Sequence, residues 1–91
     1  MSIVSHYVSR DGAHRFTFRF KADGNTVDIF CLARPSLNGQ DPHPAKTHLF
    51  DSNRICFVGG QEPRTQKRAE ALAAEWAEYY LRYRRSGTVE S

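Results

Sequence analysis

The chain has 91 residues, of which 40% are hydrophobic and 25% charged, a mixture typical of a folded domain rather than a disordered segment. The formal charge of +3 permits an acidic partner but does not require nucleic acid. No run approaches the roughly 18 apolar residues of a membrane span, and the N-terminus lacks the pattern of a signal peptide. We therefore expect a single domain over residues 1–91, cytoplasmic, with reduced thiols at Cys31 and Cys56.

Three stretches in the first part of the chain have strand patterns. Residues Ile3–Ser9 predict a weak first strand. Residues His14–Lys21 alternate three phenylalanines with polar residues, which predicts a strand with one buried face. Residues Thr26–Ala33 place apolar side chains on one face and on most of the other. This pattern predicts a central strand that is covered on both sides. The turn before it contains Gly24 and Asn25, residue types that tolerate positive φ.

A loop and a hairpin follow these strands. Residues Arg34–Pro44 contain three prolines and one glycine, which predicts a loop because proline cannot donate to a ladder. Residues Thr47–Val58 place the polar turn Asp51–Asn53 between two short apolar runs, which predicts a hairpin ended by Gly59–Gly60. Together these segments predict an antiparallel meander of about four strands.

The pattern becomes helical from Pro63, a residue type that suits the first helical position. An apolar stripe recurs at spacings of three and four, and Gly87 offers a C-terminal stop. The stripe consists of Ala69, Leu72, Ala73, Trp76, Tyr80 and Tyr83. Strands followed by one long helix predict an α+β fold, with the meander packed on the C-terminal helix and Trp76 at the centre of the core.

The hairpin also carries chemistry-bearing side chains. His48 and Cys56 lie eight residues apart on its two arms, a spacing that allows them to meet across the turn. An accessible thiolate is a nucleophile, and a histidine donor can steady an oxyanion. The alternative is that Cys56 is a small core residue and His48 an exposed strand residue. Cys31, in the middle of a strand, is expected to be a core residue.

A metal site is not favoured by the spacing of the histidines and cysteines. Cys31, His43, His48 and Cys56 match no compact zinc pattern.

The segment "THLFDSNRICF" resembles the active-site segment of ubiquitin-conjugating enzymes. That family has His-Pro-Asn, a turn, a glycine, an apolar residue and then the catalytic cysteine. Counted back from Cys56, the asparagine position falls on His48 and the glycine position on Asn53. The resemblance is closer to compact bacterial relatives with a histidine before the cysteine. It spans most of the chain through the short motifs "FTFRFK", "VDIFCLARPSL", "PHPAKTHLFDSNRICF" and "EWAEYYLRYRRSG".

This resemblance implies that Cys56 accepts the C-terminal glycine of a ubiquitin-like protein as a thioester from an activating enzyme. It implies that His48 orients the hairpin or polarises the thioester carbonyl, while Asn53 and Arg54 support the turn. No cofactor or metal is needed for these steps. The chain departs from the larger enzymes in having no N-terminal helix and in carrying "VGGQEPRTQ" where Trp-Pro usually follows the cysteine. A non-catalytic relative therefore stays open as an alternative.

Two other functions compete with this one. Arg15, Arg19 and Lys21 share one face of a predicted strand, as the residues of a phosphate-contacting surface for nucleic acid would. Alternatively the chain is an interaction module, an adaptor or inhibitor of an acidic protein, with the helix end "YYLRYRR" supplying Tyr and Arg anchors. An uncovered sheet edge also leaves room for a homodimer.

Overall fold

The computed structural model describes residues 2–57 and 60–89, and within these ranges it contains three strands and two helices. In chain order they are β1 (Ser2–Val8), β2 (Arg15–Asp23), β3 (Thr26–Ala33), α1 (Pro44–Thr47) and α2 (Gln66–Ser86). The strands form one antiparallel sheet in the order β1-β2-β3, so the predicted α+β class is confirmed. Neither helix combines the length and apolar character that crossing a membrane requires.

The predicted meander of about four strands is wrong, because the described sheet has three. In place of a fourth strand, Arg54 bridges to Phe30 of β3 and Ile55 bridges to Leu49. Ile55 donates to the carbonyl of Ile29, and the next amide, that of Cys56, points to the opposite side and donates to His48 on the other arm of the hairpin. Within the described residues, pairing with β3 is limited to the one bridge at Arg54 and forms no strand. The predicted hairpin residues Val58 and Gly59 lie outside the described part of the chain.

The prediction that β3 is central and covered on both sides is also wrong. The central strand is β2, and α2 covers only the sheet face that carries Ile29 and Cys31. On the opposite face of β3, Leu32 is 49% exposed and Phe30 is half-buried. We call this uncovered side the outer face of the sheet. It leaves two apolar side chains of β3 without a packing layer.

The core forms where the phenylalanines of β2 meet the aromatic stripe of α2. The ring of Trp76 lies edge-on to Phe16 and Phe18, with centroid distances of 6.2 and 6.1 Å. Tyr80 approaches Phe16 edge-on at 5.9 Å. Such aromatic pairs add roughly 0.5–1.5 kcal/mol beyond the area that they bury. The predicted stripe and the central place of Trp76 are therefore confirmed, with Leu72 packed at the margin of the core.

The two ends of α2 differ in how well the sequence predicted them. Thr65 caps the helix, which begins one residue later, so the predicted start at Pro63 is wrong. Pro63 lies before the helix, where its carbonyl accepts the amide hydrogen of Val27 at 2.8 Å. Gly87 ends the helix in the left-handed conformation with φ 69°, and its amide donates to the carbonyl of Tyr83 at 2.7 Å. The predicted stop is confirmed.

The segment between β3 and the hairpin is held by side chains of α2. Its first part is a loop as predicted, but Pro44 already belongs to the one-turn helix α1. A proline-rich loop has no ladder partners, so its carbonyls need other donors. Five α2 side chains donate to them: Trp76 to Thr47, Tyr79 to Lys46, Tyr80 to Pro35, Tyr83 to Asp41 and Arg84 to Ser36. We call these five bonds the helix clamp.

Replacing Tyr80 with phenylalanine removes one donor of the helix clamp, and we expect the free energy of unfolding to fall by about 1 kcal/mol. Burial also raises the pKa of the Tyr80 phenol, opposed by the charge of Arg34. The stability that the neutral phenol contributes is fully present below its unfolded pKa of about 10 and is lost as the pH rises through the higher folded-state value.

Urea denaturation at neutral pH and above pH ~10 measures both effects. The wild type should lose more stability on alkalinisation than Tyr80→Phe does. Equal losses in the two proteins would contradict this role for the buried phenol.

Candidate functional site

The turn of the hairpin is a three-residue loop, Asp51–Asn53. The amide of Asn53 donates to the carbonyl of Phe50 at 2.8 Å, and the amide of Phe50 donates to the carbonyl of Arg54 at 2.9 Å. Asn53 has φ 67°, in the left-handed region. A turn followed by one left-handed residue is a common way to close a hairpin of this length. Asparagine thus occupies a left-handed position where the resemblance implies a glycine.

His48 begins the first arm in an uncommon backbone conformation. It is the C-cap of α1, with φ 56°, and its amide donates to the carbonyl of Pro44 at 2.8 Å. Histidine is among the residues enriched at left-handed positions. The carbonyl of His48 accepts the amide hydrogen of Cys56 at 2.8 Å. The two residues singled out by their spacing are therefore directly opposite each other in the hairpin backbone.

Cys56 is the more accessible of the two thiols. Ile55 is 3% exposed and points into the core, so alternation directs the next side chain, that of Cys56, away from it. Cys56 is half-buried, whereas Cys31 is fully buried under α2. Burial raises the pKa of the Cys31 thiol, whose sulfur lies 3.4 Å from the carbonyl oxygen of Ala33. The expected core position of Cys31 is confirmed.

The imidazole of His48 packs against the helix rather than on the sulfur. Its ring lies 5.1 Å from the ring of Tyr79, measured between centroids. Among the described residues, no hydrogen bond joins this imidazole to the thiol of Cys56. The Tyr79 hydroxyl belongs to the helix clamp, donating to the carbonyl of Lys46. One helix residue therefore fixes both the backbone before His48 and the plane of its ring.

Arg54 lies two residues before Cys56, on the same side of its arm. Its guanidinium lies 5.2 Å from the centroid of the Phe50 ring and 3.7 Å from a carboxylate oxygen of Asp28. These side chains border a cleft of about 100 Å³ that is also lined by Ile55 and Phe57, the two chain neighbours of Cys56. Sequence reasoning missed Phe50 and Asp28. The signal for Asp28 was that it is the single charged residue in an otherwise apolar strand.

Asn53 ties the turn to the end of β3. Its carbonyl accepts the amide hydrogen of Cys31 at 2.8 Å, and its side-chain oxygen accepts from Arg34 at 3.3 Å. Arg34 also donates to the carbonyl of Cys31 at 3.2 Å. Arg34 was not anticipated, because nothing in the sequence shows that residues 19 apart meet here.

The three residues suggested for nucleic-acid contact lie together on the outer face of the sheet. Arg15 and Lys21 are exposed at the two ends of the β2 row, and Arg19 lies between them. The Arg19 guanidinium is 4.9 Å from the centroid of the Phe30 ring, a cation–π contact. Lys21 is directly opposite Asp28 in the register of β2 and β3. The row faces solvent, but its positive charge is partly neutralised at the Lys21 end by Asp28.

His43, the other histidine of the four residues compared with zinc patterns, has a structural contact. His43 caps α1, where its Nδ1 accepts the amide hydrogen of Ala45 at 3.0 Å. In the described ranges, no three His, Cys, Asp or Glu side chains are arranged to hold a metal ion. Comparison of the chain with protein-family models, curated proteins and solved structures gave no match.

The two thiols are expected to differ in reactivity, because one is half-exposed and the other is sealed beneath α2 with a raised pKa. Brief treatment of the native protein with iodoacetamide at pH 8 should label Cys56 first, as mapped by mass spectrometry of tryptic peptides. Denatured protein should label Cys31 as well. The Cys56→Ala variant, as the matched control, should stay almost unlabelled when native. Labelling of Cys31 as fast as Cys56 would contradict this assignment.

Proposed function

We propose that the protein carries an acyl group as a thioester on Cys56, in the way that its resemblance to ubiquitin-conjugating enzymes implies. The observation that supports this most is the contrast between the two cysteines. Cys31 is fully buried, while Cys56 is only half-buried, at the outward side of a hairpin arm. A thiol that only fills the core would not need this position.

The chemistry is a thiol–thioester exchange, in which the acyl group passes from one cysteine to another. The thiolate of Cys56 attacks the carbonyl carbon of a thioester between an activating enzyme and the C-terminal glycine of a ubiquitin-like protein. The new carbon–sulfur bond forms as the carbon–sulfur bond to the activating enzyme breaks, and that enzyme's cysteine leaves as a thiolate. An amine of an acceptor protein then takes the acyl group, and Cys56 is released again as a thiolate.

The neighbours of Cys56 have distinct roles in this proposal. The backbone of His48 holds the amide of Cys56, and its imidazole, which packs on Tyr79, is proposed to serve as the side-chain donor for the oxyanion. Asn53 supplies the left-handed residue that closes the turn. Arg54, two residues before Cys56, is held by its contacts with Phe50 and Asp28. His48 and Arg54 would thus be positioned before any partner arrives.

The outer-face row of Arg15, Arg19 and Lys21 supports nucleic-acid binding as the alternative function. Its favouring observation is that α2 leaves this face uncovered. It is the weaker candidate, because Lys21 lies opposite Asp28 and Arg19 is only half-exposed. Nucleic-acid binding stays a prediction that is independent of Cys56.

A synthetic peptide thioester that ends in glycine tests the transfer step without an activating enzyme. Intact-mass measurement should show one acyl group added to the wild type, reversed by dithiothreitol and absent from Cys56→Ala. The Cys56→Ser variant should give little adduct, and any adduct should resist dithiothreitol because it is an ester. Equal acylation of Cys56→Ala and the wild type would contradict the proposal.

The same assay separates the roles of the His48 backbone and side chain. His48→Asn keeps a donor in a residue that tolerates positive φ, and should stay within a few-fold of the wild-type rate. His48→Gly keeps the backbone conformation but lacks a donor, and should slow acylation by roughly 10²-fold. Equal rates for the two variants would show that only the backbone of His48 matters.

A further inference from the structure

The sheet has one open edge within the described residues, the outer edge of β1. All seven residues of β1 pair with β2 on the other side, from Ser2 opposite Lys21 to Val8 opposite Arg15. The far edge of the sheet, on β3, is covered by residues 53–55, which exchange backbone hydrogen bonds with Cys31 and Ile29. Backbone donors and acceptors along β1 therefore remain available for another strand.

β1 lacks the features that normally protect an exposed edge from pairing. Its sequence, SIVSHYV, contains no Lys, Arg, Asp, Glu, Pro or Gly. Its register with β2 runs without a bulge. Natural edge strands are usually blunted by charges, prolines or bulges, because an unblunted edge is a template for strand addition. The neighbouring strand β2, by contrast, carries four charged residues: Arg15, Arg19, Lys21 and Asp23.

Apolar side chains on both faces of β1 are exposed. Ile3 is 49% exposed on the α2 side, Val4 is 55% exposed on the outer face, and Val8 is 49% exposed. The main contacts of α2 are with β2 and β3, so Ile3 lies beyond the helix. Ile3 and Val27 border an apolar cleft of about 310 Å³. A strand laid along β1 would cover side chains on both faces at once.

We propose that the outer edge of β1 pairs with β1 of a second copy of this chain, antiparallel and centred on Ser5. This register lets all seven residues pair, with Ser2 opposite Val8 of the second copy and Ile3 opposite Tyr7. Each strand then meets a partner that brings no charge against its apolar side chains. The two-fold axis lies perpendicular to the sheet, so both α2 helices lie on the same side.

Self-pairing along β1 would be limited to two copies. The combined sheet has six strands, and each of its two outer edges is a β3 already covered by residues 53–55. A closed two-fold dimer leaves no further edge for pairing. Addition of an unrelated strand to β1 would not fix how many copies of this chain assemble. The two hairpins lie at opposite ends of the dimer, so Cys56 is as accessible as in the monomer. The proposal is thus independent of any function of Cys56.

Sedimentation velocity across a range of protein concentrations tests the dimer. The wild type should shift towards twice the monomer mass as its concentration rises. Val4→Lys places two lysines at diagonal cross-strand positions, about 7–8 Å apart along the backbone, on one face of the paired strands and should lower association at least tenfold. Leu32→Lys adds the same charge to an equally apolar, 49% exposed position on β3 and should behave as the wild type.

Cross-linking tests the register. In a Cys56→Ser background, Ser5→Cys places two sulfurs opposite each other at the two-fold axis, within disulfide range, and mild oxidation should give a covalent dimer. In the same background, copies of Ser2→Cys lie about 20 Å apart and should not cross-link. A wild type that stays monomeric at the highest concentration, association unchanged by Val4→Lys, or equal cross-linking of the two cysteine variants would overturn the proposal.

Discussion

The helix clamp is the constraint on which the rest of the structure depends. Five side chains of α2 donate to backbone carbonyls between Pro35 and Thr47, a stretch that has no sheet partner of its own. The bond to Thr47 is the buried one, and a buried carbonyl without a donor would cost roughly 1–3 kcal/mol; the other four bonds tie the more exposed parts of the loop to the helix. The last bond of the clamp, from Trp76 to Thr47, ends at the residue before His48. The clamp therefore sets where the hairpin begins.

As a result, the two edges of the three-stranded sheet have different surroundings. At the β3 edge, the clamp and the left-handed residues His48 and Asn53 hold a short hairpin on which Cys56 is half-buried. At the β1 edge, the helix leaves Ile3 and the outer backbone groups uncovered. The main contacts of α2 are with β2 and β3, so the outer edge of β1 stays uncovered in the part of the chain that the structure describes. The proposed acyl transfer and the proposed self-pairing use opposite edges and do not interfere with each other.

Local sequence signals predicted the elements that depend on local physics. The alternation in β2, the spacing of three and four in α2 and the stop at Gly87 all act within a few residues. Asn53 was assigned to the glycine position of the hairpin through the resemblance, and it adopts a left-handed conformation there. The extent of the fourth strand was not predictable, since it depends on pairing with the distant β3, which consists of the bonds from Cys31 to Asn53 and from Ile55 to Ile29. The true start of α2 did have a local signal, the capping residue Thr65, whose side-chain oxygen accepts the amide hydrogen of Arg68. The helix clamp joins residues up to 48 apart and has no local pattern.

Amide hydrogen exchange at Cys56 tests most directly whether the helix clamp positions the thiol. The bond from its amide to His48 should protect it in the wild type. In Trp76→Phe, which loses the donor to Thr47, we expect exchange at Cys56 to quicken roughly fivefold or more beyond any change at the amide of Phe18 in β2. A Cys56 amide that changes only in step with Phe18 would contradict the account.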